Sequence, residues 1–326
     1  MSTRRHAMAS LALGGLGVGG WSMQARAADL PPGTIRIVTP YPPGGTADVI
    51  ARITAAELGA ELNRNVVVDN KPGGNTNIGM REMLAGAPDG LTLLSTSTTI
   101  LTNTVLYNPA PWKVEDFAPL NFTAELPYLL VVSPKLPVNS LSSLLEYASK
   151  RAPLNWGAPG AGGPSHLLTS KLAQVGGIKV NFIQYKGQPP ILPDLVEGRL
   201  DAALLSSFST LISLAKDGRL KPLAVFAEER IGELPNVATN AELGYPRASM
   251  SAWMGLFTRS NVPADIRARL IEACNKMVSK TEVRDKIRRA SLVPGASMQA
   301  DQLAKRFAAD FRDMAQIIRD ANIRLE

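Results

Sequence analysis

Short apolar runs alternate with segments of helical spacing along most of this chain, and that alternation limits what it can fold into. Thr34 to Thr39 predicts a strand that runs into a Pro/Gly turn. Asp48 to Leu62 places Val49, Ile53, Ala56 and Ala60 at helical spacing. Val66 to Val68 predicts a second strand, Arg81 to Ala85 a short helix, and Leu91 to Leu94 a third strand. A βαβαβ rhythm of this kind calls for a parallel sheet covered by helices. A second series follows, with strands predicted at 129–132, 154–156, 182–185, 200–205 and 223–225. Helices are predicted from the Ser140 cap and over 165–175, 191–197 and 208–216. A strand at 253–258 precedes helices at 264–279, 281–290 and 298–321. With 326 residues to place, the simplest packing is two α/β lobes. Ligands of open α/β sheets bind beyond the carboxyl ends of the strands, so two facing lobes make a cleft.

The N-terminus stands apart from this rhythm. Arg4 and Arg5 precede a Gly-rich apolar run from Ala7 to Met23, and Ala25-Arg26-Ala27 forms a small-x-small cleavage signature. No acidic residue occurs before Asp29. This is the layout of a secretory signal peptide over residues 1–27, and the run is short and Gly-dilute for a membrane span. Thr3-Arg4-Arg5 leaves both general and twin-arginine export open. Export implies a periplasmic protein. Without the leader, 32 basic residues face 28 acidic ones. They are scattered apart from Lys286-Ile287-Arg288-Arg289, so no nucleic-acid stripe is formed. Cys274 is the only cysteine, which rules out an intrachain disulfide. His166 is the only histidine of the mature chain, so metal sites built from several His or Cys ligands are excluded. No cofactor is expected.

Three loops at strand carboxyl ends hold the residues best suited to a ligand. Pro40-Tyr41-Pro42-Pro43-Gly44-Gly45-Thr46 leads directly into a helix. Its glycines allow close backbone approach, and helix N-terminal amides attract anions. Thr46 equally serves as a plain helix cap. Gly157 to His166 also joins a strand to a helix, and it carries neither a phosphate-loop ending nor G-x-G-x-x-G. A cradle of backbone amides for a carboxylate suits it, as does a flexible linker. Tyr185-Lys186-Gly187 closes a third strand, with Lys186 either facing an anion or lying in solvent.

Catalytic sets are missing. The chain has no G-x-S-x-G elbow, and adjacency of Ser165 and His166 does not itself bring a nucleophile to a base. One histidine and one cysteine leave few routes to acid–base chemistry near neutral pH.

The loops, in this order, resemble the Bug family, the receptors of tripartite tricarboxylate transporters. The resemblance rests on Tyr41 to Arg52, Val67 to Gly79, Ala87-Pro88-Asp89-Gly90, Pro159 to Leu167, Tyr185-Lys186-Gly187 and Trp253 to Phe257. It implies a two-lobe periplasmic binding fold, type II-like, that closes on a small carboxylate. The expected division is 28–129 for the first part of lobe 1, 130–250 for lobe 2 and 251–326 for the mostly helical return to lobe 1. The first loop is implied to hold a carboxylate partly through ordered waters, and the Gly160–His166 loop to hold the ligand from the other lobe. Together these mark Tyr41, Pro42, Gly45, Thr46, Asn77, Thr96, Ala158, Gly160, Gly162, Gly163, Ser165, His166, Tyr185, Lys186 and Ser206 as ligand-binding positions. The chain departs from the family pattern at Ala158, where Ser is common, at Gly163, where Thr is common, and at Leu205-Ser206, where Asp-Asn is frequent. A wall with Leu205 offers an ammonium no carboxylate, so the expected ligand is a carboxylate with an apolar or neutral far end rather than an amino acid.

Three functions fit a closing cleft in different degrees. A transport receptor, monomeric and working with membrane transporter subunits, is the first. A sensor subunit reporting to a signalling partner is the second. A secreted enzyme is the third, and the poor His/Cys inventory speaks against it.

Overall fold

The computed structural model describes residues 30–320 apart from 152, 186, 249 and 251, together with 323. The leader expected over 1–27 lies outside the described residues. Two sheets carry the fold. In chain order the first gathers β1 (Ile35–Thr39), α1 (Thr46–Leu62), β2 (Val66–Asn70), α2 (Asn77–Ala85), β3 (Thr92–Ser97), α3 (Thr99–Leu106) and β4 (Phe117–Glu125). The second is built from β5 (Tyr128–Val132), α4 (Leu141–Ser149), β6 (Leu154–Ala158), α5 (Pro164–Gly176), β7 (Val180–Gln184), α6 (Ile191–Val196), β8 (Ala202–Ser206), α7 (Ser209–Lys216) and β9 (Lys221–Phe226). The chain then returns with β10 (Trp253–Arg259), α8 (Ala264–Ser279), α9 (Thr281–Arg289), β11 (Val293–Pro294) and α10 (Ala300–Asp320).

The first sheet has the order β11-β4-β10-β3-β1-β2 and the second β7-β6-β8-β5-β9. β1 lies parallel to β2 and β3, and β6 parallel to β7 and β8, as the βα rhythm requires. Antiparallel strands flank these units: β10 against β3 and β4, and β5 against β8 and β9. Each sheet therefore mixes both pairings, and the molecule is a mixed α/β protein of two lobes.

Passage between sheets occurs twice, side by side. β4 reaches β5 through Leu126-Pro127, where Leu126 N–H donates to the Ala252 carbonyl at 2.8 Å, just before β10. A side-chain link spans the same region. Ser207 Oγ donates to the Ser291 carbonyl at 2.5 Å, and Ser291 Oγ donates to Glu233 Oε1 at 2.9 Å. Ser291 has φ 60°.

The first lobe's core is aromatic beside α10. Trp253 packs against Phe122 with the rings tilted by 58° and centroids 4.7 Å apart, and it also meets Phe257 and Phe307. Its indole N–H is satisfied by Asp310 Oδ2 at 2.7 Å, as a buried donor requires. Cys274 is fully buried in α8, and burial pushes its thiol up to about 12. A small third cluster joins α3, α5 and α10 through Leu106, Leu167, Ile317 and Ile318. It ties the first lobe to the second.

Candidate ligand cleft

The first loop is held in shape by Asp48. Its carboxylate accepts from Gly44 N–H at 3.0 Å, Arg52 Nε at 2.9 Å and Asn70 Nδ2 at 2.9 Å. Asn70 Nδ2 also donates to the Tyr41 carbonyl at 3.1 Å, so strand β2 braces the loop after β1. Burial pushes the Asp48 pKa up, but the bonds from Arg52, Gly44 and Asn70 outweigh it and hold the carboxyl below the usual carboxylate range. Gly44 takes φ +82°, a backbone state that suits glycine. The cap of α1 is Gly45, with no side-chain cap bond. Thr46 is the first helical residue and not the cap. The first-turn amides of α1 therefore have no side-chain oxygen capping them and point out from the loop.

Tyr41 knits this loop to the next strand. Its hydroxyl lies 2.7 Å from Ser97 Oγ, 3.0 Å from Thr99 Oγ1 and 3.5 Å from Thr96 Oγ1, and accepts from Ser97 N–H at 3.3 Å. Thr96 is fully buried. Pro42 is exposed beside it. Asn77 opens α2, and its Oδ1 accepts from Asn103 Nδ2 at 3.1 Å, so it is engaged within the lobe.

In the second lobe, Gly163 caps α5 and Pro164 occupies the first turn, where the missing N–H costs nothing. Ser165 is buried and donates to the Leu204 carbonyl at 2.5 Å, which fastens α5 to β8. His166 Nδ1 accepts from Gly162 N–H at 2.9 Å, and the ring stacks edge-on against Phe182 at 4.1 Å. Burial pushes its pKa below the ordinary histidine value, so the neutral ring acts as an acceptor. Gly160 has φ +122° and meets nothing within 4 Å of an added Cβ, whereas Gly162 packs against Leu106 of the first lobe. Ala158 is fully buried, and its carbonyl accepts from Tyr185 N–H at 2.9 Å. The Tyr185 hydroxyl donates to Asp194. Burial and that bond push the phenol up to about 12. Lys186 lies outside the described residues.

One cavity of about 960 Å³ brings the lobes together. Gly44, Gly45, Thr46 and Val49 form one side, and Gln188, Pro189, Leu192, Phe208 and Leu214 the other. Lys286, Arg289 and Arg219 also line it. Of the positions marked in the sequence, Gly45 and Thr46 line this cavity directly. Ser206 is one bond away, accepting from Gln188 Nε2 at 2.7 Å. Leu205 corrects an expectation. It is fully buried in the apolar cluster of Leu129, Val131, Ile191, Leu195 and Leu211, and forms core instead of cleft wall. Gln188, Phe208 and Val49 went unmarked. Gln188 lies two residues past Lys186 in an already suspect loop, and Phe208 follows the marked Ser206, so loop position was the available signal.

Among the described residues no group of three or more His, Cys, Asp or Glu could hold a metal, and no helix is long and apolar enough to cross a membrane. Residues 50–323 match the family described as tripartite tricarboxylate transporter family receptor. Protein BugT of Bordetella pertussis is 30% identical over 299 residues, covering 90% of this chain and 90% of the relative. An R. palustris protein solved with adipate has a TM-score of 0.78 at 27% identity, covering 89% of this chain and 98% of that one. Periplasmic binding protein BugD shares the fold, with a TM-score of 0.76 at 23% identity over 90% of this chain and 99% of that one. Because the family match runs through both sheets and the return segment, the chain belongs to the tripartite tricarboxylate transporter receptors, which bind solutes and are not enzymes.

Proposed function

We propose that this receptor captures a small carboxylate between its lobes in the periplasm and delivers it to the membrane subunits of a tripartite transporter. The observation that carries this reading is the cavity shared by Gly44-Gly45-Thr46 at the start of α1 and Gln188 and Phe208 of the other lobe. Helix N-terminal amides favour a carboxylate there, and the R. palustris relative solved with adipate supports the same ligand class. In this reading residues 1–27 are a cleaved leader. The boundary expected at 129/130 moves to the crossing at Leu126-Pro127, because Tyr128 and Leu129 already pair in the second sheet. The residues before it and 251–326 form one lobe, those from Tyr128 to 250 the other, and the receptor works as a monomer that hinges. Tyr41, Pro42, Gly45, Thr46, Asn77 and Thr96 shape the ligand site from the first lobe, directly or through the loops they hold. Ala158, Gly160, Gly162, Gly163, Ser165, His166, Tyr185, Lys186 and Ser206 do so from the second.

The test is native mass spectrometry of protein purified from its own periplasm, followed by calorimetry on the ligand found. A carried carboxylate that rebinds tightly is the expected result. A carried ligand with no acidic group would overturn the carboxylate reading itself.

A further inference from the structure

Three cations line the cavity, and they come from both lobes. Arg219 follows α7, where Gly218 turns the chain towards β9 at φ +69°. Lys286 and Arg289 lie one turn apart on α9, so a single helix face carries both. Among the described residues Glu197 is the one acid in that wall, and it has Lys135 at 3.9 Å. Positive charge therefore dominates the space between the lobes.

Two of these cations have no acid of their own. Lys286 Nζ donates to Glu57 Oε1 at 2.5 Å, which fastens α9 to α1. Asp285, close by in sequence, is held by Arg288 at 2.8 Å. Among the described residues the Arg219 and Arg289 guanidiniums form no ion pair and no side-chain hydrogen bond. Each offers five N–H donors and no acceptor, in a fork that matches a carboxylate. As the lobes close, like charges on opposite lobes approach and repel. An anionic group between them removes that repulsion. A neutral end leaves it, and an ammonium adds to it. Val49, Leu192 and Phe208 give the same cavity apolar walls, which suit a hydrocarbon spacer. Leu205 lies in the core and sets no requirement on the far end of the ligand.

We propose that Arg219 and Arg289 read a second carboxylate at the far end of the ligand, one from each lobe, and make the receptor selective for a doubly charged acid. They are specificity-determining residues. The proposal rests on the carboxylate reading of the same cleft and adds the side chains that count the charges of the ligand.

Calorimetry on the full mature receptor tests it with straight-chain carboxylates of four to eight carbons. Each length ends in methyl, hydroxyl or a second carboxylate. Both guanidiniums are exposed, so each contributes a few-fold and not orders of magnitude. At the best length and low salt the dicarboxylate should bind about tenfold tighter than its methyl or hydroxyl partner. High salt should shrink that preference, since exposed charges are screened. Arg219→Gln and Arg289→Gln should each cut it about threefold and leave the affinity for the monocarboxylate unchanged. Exposed side chains of this kind can be exchanged without unfolding the protein. A preference unchanged in either variant overturns the proposal. So does a methyl or hydroxyl member that binds as tightly as the dicarboxylate. If no member of any series binds, the carboxylate reading fails instead, so the two failures are distinct.

Discussion

His166, a lone histidine in sequence, serves the backbone of its own loop in space. Its Nδ1 accepts the Gly162 N–H and its ring stacks on Phe182, so it fixes the loop that ends at the α5 cap. Burial disfavours the imidazolium and pushes the folded pKa below the ordinary value. The unfolded chain then takes up a proton at higher pH than the folded one does. Stability from this residue is intact above the ordinary histidine range and is lost as pH falls towards the lowered folded value. Replacing it with Phe keeps a ring but strands the Gly162 amide, at a cost of about 1 kcal/mol near pH 7.5. Urea unfolding at pH 7.5 and 5.5 should show that gap narrowing on acidification. A gap independent of pH would remove His166 from the titration. The sequence showed that this histidine was alone and hence a poor base. It did not show which atom of the backbone the ring would serve, because that depends on Gly162 turning back at φ +70°.

At the level of elements, the parallel units were readable because their period is local. β1-α1-β2 and β6-α5-β7 each carry their own apolar signal over a few residues. Three elements escaped: α3, β4 and the two-residue β11, which is too short to carry a period. α3 begins Thr-Ile-Leu-Thr-Asn-Thr, in which Leu101 is the one strong helix former, and burial of Ile100, Leu101 and Leu106 holds it in a helix. β4 carries Pro119, which breaks the alternation. It fits because β10 shifts register at Leu256/Phe257, where Pro119 pairs with Phe257. Of the site, the two Gly-rich loops were legible from composition. Gln188 and Phe208 were not, since their meaning comes from the facing lobe. The contact between α3 and the α5 entry gives a prediction at this scale. An added Cβ at Gly162 would sit 2.4 Å from Leu106 Cδ1, at a φ few side chains adopt. Gly162→Ala should destabilise the protein by roughly 1–2 kcal/mol and weaken ligand binding. Combined with Leu106→Ala, the loss should be smaller than the sum of the single losses in a double-mutant cycle. Strict additivity would mean that the two residues do not press on each other.

For the whole molecule, the two crossings at Leu126-Pro127 and Ala252 lie together, and the Ser207–Ser291–Glu233 link spans the same place. Motion about that line would bring the α1 entry towards Gln188 without unpairing either sheet. Arg81 on α2 and Ser149 on α4 are exposed, one on each lobe. Cysteines at these two positions, labelled with a donor and an acceptor dye, should report higher energy transfer when ligand is added. Unchanged transfer at saturating ligand would argue for a rigid receptor. The native thiol leaves this measurement clean. Cys274 is sealed in α8 and protonated far above neutral pH, and only the thiolate reacts with maleimide or oxidant. The receptor thus presents no reactive thiol at its surface. Optical labels can be placed at will on the unaltered background, and in an oxidising compartment two copies have no reactive sulfur through which to become covalently joined.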